Sequence, residues 1–208
     1  MRFVDAEIAL VEIDPELAAL ARDNAKRNDL AARVKVFACD VTEAKARRAA
    51  GLADGEADLV VSNPPFYEEA REQASPDPGR ALAHVLPQAA SAETALMGWF
   101  RACTALLSKR GRLIVIHRPD RLFDIANALQ KRVGGLTVLP VYPKAEAQAH
   151  RVLVAGMLGV RTPAALAPGL VLHRPDGGFT AEAEALHRGE GFLRWGGGER
   201  GWSSKAYT

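Results

Sequence analysis

The 208-residue chain lacks a dominant charge: 27 Lys and Arg face 25 Asp and Glu, for a formal net charge of +2. The signs cancel over residues 1–149, and residues 150–208 carry seven basic against five acidic side chains. A global field of either sign is thereby excluded, and a polyanionic partner must be held by local patches. Long hydrophobic runs are missing too. No stretch approaches the roughly 18 apolar residues of a membrane span, and the opening "MRFVDAEIALVEID" has no basic segment leading into a long apolar one. Cysteine is scarce: Cys39 and Cys103 sit in apolar contexts without metal-ligand spacing, which reads as buried thiols in a reducing cytoplasm. His84, His150, His173 and His187 show no ligand spacing either, so no metal site is expected. What the chain does have is apolar material, 48% of its residues, enough for the core of one domain or one domain with an appendage.

Residues 6–13, "AEIALVEI", are apolar on both alternating faces, as in a parallel strand covered on each side. Asp14 and Pro15 then supply an N-cap and a first-turn proline for a helix with Leu17, Leu20, Ala21 and Ala25 on one face, ending near Asn28-Asp29. "RVKVFACD" (33–40) reads as a second strand, "EAKARRAAGL" as a polar helix and "ADLVVSN" (57–63) as a third strand. This alternation predicts a doubly wound, mostly parallel α/β sheet. A long loop follows over 67–88 and a helix over 92–108 with Leu96, Trp99, Phe100, Cys103, Leu106 and Leu107 inward. Next come a strand at 112–117, a helix at 120–132, and strands "LTVLPVYP" and "RVLVAGML", whose short connection makes them antiparallel neighbours. Beyond Gly159, two short strand-like runs flank the turn Asp176-Gly177-Gly178, and a short helix follows. The boundaries expected are 1–159 for the main domain, 160–191 for an appendage and 192–208 for a glycine-rich, disordered tail.

Three features carry chemistry. Glu12 ends an apolar strand, where open α/β sheets bind ligands and where an acid in nucleotide-binding sheets accepts hydrogen bonds from ribose hydroxyls. A merely solvated strand end is the competing reading. Asp40 ends the next strand, placed to accept from an adenine amine or else to cap the helix starting near Thr42. The third feature is Ser62-Asn63-Pro64-Pro65-Phe66-Tyr67, which follows the run "DLVV". An aryl amine is a poor nucleophile because its lone pair is delocalised, so methylating it requires acceptors that hold its N–H groups and localise the pair. The Asn63 amide oxygen and the Pro64 carbonyl are such acceptors, and Pro64 offers no competing donor. Phe66, with Tyr67 beside it, presents a face for stacking on a base, unless Phe66 is a core residue at a stiffened strand end.

With these motifs the chain resembles class I S-adenosylmethionine-dependent methyltransferases, whose amino-methylating motif reads Asn or Asp, Pro, Pro, aromatic. "VEIDPELAALARDNAKRNDL", "NPPFYEEAREQASPD", "GRLIVIHRPDRL", "RVLVAGMLG" and "PGLVLHRPDGGFTAEAEALHRG" resemble the bacterial valine-tRNA adenine-N6 methyltransferases, almost to Gly191. The resemblance implies a Rossmann-like sheet of order 3-2-1-4-5-7-6 with an antiparallel last strand, S-adenosylmethionine as cofactor, tRNA as partner and no membrane. By the same carry-over, Glu12, Asp14, Asp40, Val41 and Asn63 surround the cofactor, and Asn63, Pro64, Pro65 and Phe66 form the catalytic motif. Tyr67, Arg118 and Arg121 would meet the RNA. One departure stands out: the family's first strand and glycine-rich loop precede the position of Glu12, yet only 11 residues do so here and none is glycine. The sequence as given therefore reads as a late start or a truncation, with the central strand missing and ladder groups exposed on its two neighbours. Competing readings are a guanine-N2 methyltransferase of ribosomal RNA, a protein-glutamine methyltransferase, and a non-catalytic remnant that binds RNA or a partner.

Overall fold

The computed structural model describes residues 6–64, 92–130 and 132–195, which divide into two units. One contains 6–56, Pro64 and the helix up to Leu106; the other contains 57–63 and the described residues from Leu107 onward. In the first unit, β1 (Ile8–Glu12) and β2 (Val34–Ala38) pair in parallel, joined by helix α1 (Pro15–Arg27). Asp14 accepts from the Glu16 and Leu17 N–H groups at 2.8 and 3.3 Å, satisfying donors that a helix start leaves over. The helix stops at Asn28, and Asp29 takes a positive φ of 56°. Helix α2 (Ala44–Ala49) is short and polar.

The buried face of α1 is only partly the expected one. Ala25 is buried and Ala21 half-buried as expected, but Ala18 is buried with them, whereas Leu17 and Leu20 are 44% and 55% exposed. Small side chains let α1 lie close to β2, with Arg22 donating to the Val36 carbonyl at 3.1 Å, and this leaves the leucines on the open flank. The third helix, α3 (Ala92–Leu106), matches expectation more closely, with Leu96, Phe100, Cys103 and Leu106 buried and Trp99 half-buried. It ends two residues early because Leu107 already pairs with Ala57.

The second unit is a six-stranded sheet. Its strands β3 (Ala57–Ser62), β4 (Leu107–His117), β5 (Val133–Tyr142), β6 (Arg151–Leu158) and β7 (Ala165–Leu166) lie in the order β3-β4-β6-β5-β7, and β8 (Leu170–Val171) also pairs with β5. β3 is parallel to β4, while β6 is antiparallel to both β4 and β5. Arg110 adopts a positive φ of 64° inside β4, and a Cβ on Gly111 would come within 2.8 Å of the Ala57 carbonyl oxygen. Only glycine fits that approach. A single helical turn over Pro119–Arg121 leads into α4 (Leu122–Leu129), whose Ile125, Ala128 and Leu129 are buried.

Pairs β2-β1 and β3-β4-β6-β5 reproduce the 3-2 and 4-5-7-6 portions of the sheet order that the resemblance implied. Among the described residues, β1 pairs with β2 alone and β3 with β4 alone. Neither strand has a buried residue, and Val61 is 69% exposed, so the reading of both as covered on each face is corrected. A parallel strand paired on one side has no neighbour to help seal its faces.

Residues beyond Gly159 join the same sheet. Ala167, Leu170 and Trp195 pack with Leu139, Val141 and Ala155 in one buried cluster. Trp195 is thus a core residue and not part of a disordered tail; residues 196–208 lie outside the described ones. The turn at Asp176–Gly178 forms as expected, with Gly177 at a φ of 91° and a bridge between His173 and Phe179. Helix α5 (Ala181–Arg188) follows, capped by Thr180 and closed by Gly189 in the left-handed region. No helix among the described residues is long and apolar enough to cross a membrane.

Candidate functional site

Because β1 and β2 are parallel, their carboxyl ends share one edge. Glu12 closes β1 half-buried; its Oε1 accepts from the Asp14 N–H at 3.0 Å, and its Oε2 makes no hydrogen bond among the described residues. Asp14 itself is buried and spent on capping α1. The ladder extends one step beyond β2 through the Cys39 N–H, which donates to the Glu12 carbonyl at 2.9 Å and brings Asp40 beside Glu12 along the rim. Asp40 Oδ1 accepts from the Thr42 N–H at 2.8 Å and the Thr42 hydroxyl at 2.7 Å, leaving Oδ2 open. The alternative role for Asp40 as a helix cap is not realised, since α2 starts at Ala44 behind Glu43. Two carboxylates are therefore each pinned by one oxygen and open on the other, an arrangement that accepts donors such as hydroxyls and amines.

Sequence reasoning missed Arg47, which it placed on a polar helix without a partner of its own. Its side chain is only 4% exposed. Nε and Nη2 donate to the two carboxylate oxygens of Asp54 at 2.9 and 3.1 Å, and Nη1 donates to the Val41 carbonyl at 2.7 Å. This planar fork ties the turn that carries Asp40 and Val41 to the segment before β3. The Cys39 thiol is pushed up, first by burial and then by the neighbouring Asp40 charge, against an opposing pull from Arg47. A thiol so placed stays protonated and unreactive.

In the other unit, parallel pairing of Ser62 with Val115 sets Asn63 beside the carboxyl end of β4. Asn63 is exposed, and its amide makes no hydrogen bond among the described residues. Pro64 is fully buried, so a role for its carbonyl in holding an amine requires uncovering it. Pro65, Phe66 and Tyr67 lie outside the described residues. His117 ends β4, only 4% exposed, and burial pushes its imidazole below the ordinary histidine range. Arg118 forms an exposed ion pair with Asp120 at 2.9 Å, and Arg121 pairs with Asp124 at 3.1 Å. The structure thus groups Glu12, Asp14, Asp40 and Val41 in one unit and Asn63, Arg118 and Arg121 in the other.

The open oxygens of Glu12 and Asp40 are acceptors of the kind that the hydroxyls and amines of a nucleoside require. No described residue forms a glycine-rich cradle near Glu12 for an amino-acid tail.

Residues 2–90 match the family model of the methyltransferase small domain. Among curated relatives, a tRNA1(Val) (adenine(37)-N6)-methyltransferase of Porphyromonas gingivalis is 33% identical over 127 residues, covering 60% of this chain and 45% of that protein. One of the same name from Klebsiella pneumoniae is 34% identical over 65 residues, 31% of this chain and 24% of that protein. The chain spans less than half the length of these relatives. Among solved structures, a protein described as a predicted O-methyltransferase from Agrobacterium tumefaciens superposes with a TM-score of 0.72 at 28% identity, covering 90% of this chain and 80% of that one. Residues 2–90 are thus similar to the methyltransferase small domain, and the strand order and the superposed structure give the chain the fold of a methyltransferase.

Proposed function

We propose that the chain serves methyl transfer from S-adenosylmethionine to the exocyclic amine of an adenine in tRNA. The observation that carries this reading is Asn63, exposed at a strand end with an unengaged amide and followed directly by Pro64. When bound, S-adenosylmethionine supplies an electrophilic methyl group. The residues of this chain do the rest. Glu12 Oε2 holds ribose hydroxyls while Asp14 fixes the other oxygen, and Asp40 Oδ2 accepts from the cofactor's adenine amine.

The Asn63 carbonyl oxygen accepts one N–H of the target amine, and the Pro64 carbonyl, once uncovered, accepts the other. Both acceptors strengthen their hold as positive charge grows on nitrogen, so their effect is concentrated in the transition state. The methylated amine then loses its proton to water, and no side chain is required as a base. The adenine specificity and the tRNA follow the names of the relatives from Porphyromonas gingivalis and Klebsiella pneumoniae.

The reading is tested by incubating the full-length protein with unmodified valine tRNA and a methyl-labelled cofactor, then digesting to nucleosides. Label in N6-methyladenosine is expected. Label in N2-methylguanosine, or only in protein, overturns it.

A further inference from the structure

Strand order in the six-stranded sheet has a consequence for charge. Moving outward from Asn63 at the end of β3, the same rim is formed by the carboxyl end of β4, the amino end of antiparallel β6, and the carboxyl ends of β5 and β8. Each of those ends carries a cation: Arg118 after β4, Arg151 at the start of β6, Lys144 after β5 and Arg174 after β8. Register makes the row tight. His117 faces Val152, so Arg118 lies opposite Arg151; Val141 faces Arg151; and Lys144 reaches the Arg174 turn, where Nζ donates to the Pro175 carbonyl at 3.4 Å. At about 4.8 Å per strand, the row extends roughly 19 Å from Asn63.

We propose that this rim is a track for the RNA backbone that flanks the target nucleotide, with Arg118, Arg151, Lys144 and Arg174 meeting successive phosphates. The inference rests on RNA being the substrate and adds the path it takes. The acids on the rim do not cancel the row. Asp120 and Asp176 pair with Arg118 and Arg174 in exposed bridges, worth little in water, so each guanidinium can exchange its carboxylate for a phosphate. Lys144 is exposed and forms no ion pair among the described residues. Glu146 is the remaining exposed acid of the β5–β6 connection.

The test uses the 208-residue chain, a labelled valine-tRNA anticodon stem-loop and fluorescence anisotropy across a salt series. Wild type is compared with Lys144→Ala/Arg151→Ala/Arg174→Ala, with the exposed double variant Lys144→Ala/Arg174→Ala, and with a control lacking Lys26, Arg27 and Arg48 of α1 and α2. Melting curves verify that each variant is folded. Removing three phosphate contacts lowers the slope of log K against log salt by about 2 and weakens binding roughly 10-fold or more, and the double variant loses proportionately less. The control keeps the wild-type slope. Equal RNA affinity and slope in wild type and both rim variants, or an equal loss in the control, overturns the track alone. Absence of RNA binding by wild type overturns the track together with the RNA reading on which it rests.

Discussion

Replacing Arg47 by alanine removes three hydrogen bonds from a nearly buried guanidinium: two to the Asp54 carboxylate and one to the Val41 carbonyl. Hydrogen bonds involving a charged group contribute about 1.5–3 kcal/mol each at the outset. The Asp54 side chain is 39% exposed and regains water when its partner leaves, so the pair with it counts near the lower end. The Val41 carbonyl has no such recourse if it stays covered. A net cost of about 2–3 kcal/mol follows, which for a chain of this size lowers the melting midpoint by roughly 5–10 °C. Arg47→Lys keeps the charge but not the fork and should fall between alanine and wild type. Thermal unfolding by circular dichroism gives the midpoints, and calorimetry with S-adenosylhomocysteine on the full-length protein gives the second readout, a weaker affinity because the turn bearing Asp40 and Val41 is no longer tied. An unchanged midpoint in Arg47→Ala, or a loss of stability in Arg47→Lys as large as in alanine, would refute the clamp.

Two further outcomes follow from burial. His117 is held neutral by burial below its ordinary value of 6.5, so the unfolded chain binds more protons than the folded one as pH drops. Stability is therefore full above about pH 7 and declines as pH falls through 6.5 towards the lowered folded value; urea midpoints across that window should slope down in wild type and flatten in His117→Gln, and identical slopes would contradict the assignment. Trp195→Ala empties a site among Leu139, Val141, Ala155 and Leu170 and should cost about 3–5 kcal/mol by urea unfolding, whereas a tail residue would cost nothing measurable.

Residues with local signals were legible in the sequence. Asp14-Pro15 and Asn28-Asp29 bracket α1 because capping and positive φ depend on neighbours in the chain. The apolar stripe of α3 and the antiparallel β5–β6 pair were readable for the same reason, and Glu12 and Asp40 were legible as acids closing apolar strands. What escaped depends on distant partners. Periodicity puts Leu17 and Leu20 on one stripe with Ala25, but only packing against β2 decides that Ala18 joins Ala25 on the buried side and the leucines do not. Arg47 looks like any helix-surface cation until Asp54 and the Val41 carbonyl meet it. Trp195 sits in a glycine-rich context and is claimed by a cluster assembled from β5, β6 and the β7–β8 segment. The burial of Pro64 likewise leaves no trace in its neighbours.

The most direct test of the account is the division of effects at Asn63 in the full-length protein. Asn63→Ala is predicted to lower single-turnover methylation of tRNA by about 100-fold while leaving the Kd for S-adenosylhomocysteine within about threefold, since an acceptor that tightens on a developing ammonium acts on the transition state and not on cofactor binding. A loss of cofactor affinity as large as the loss of rate, or methylation at the wild-type rate, would contradict the assignment of Asn63 as the residue that holds the target amine.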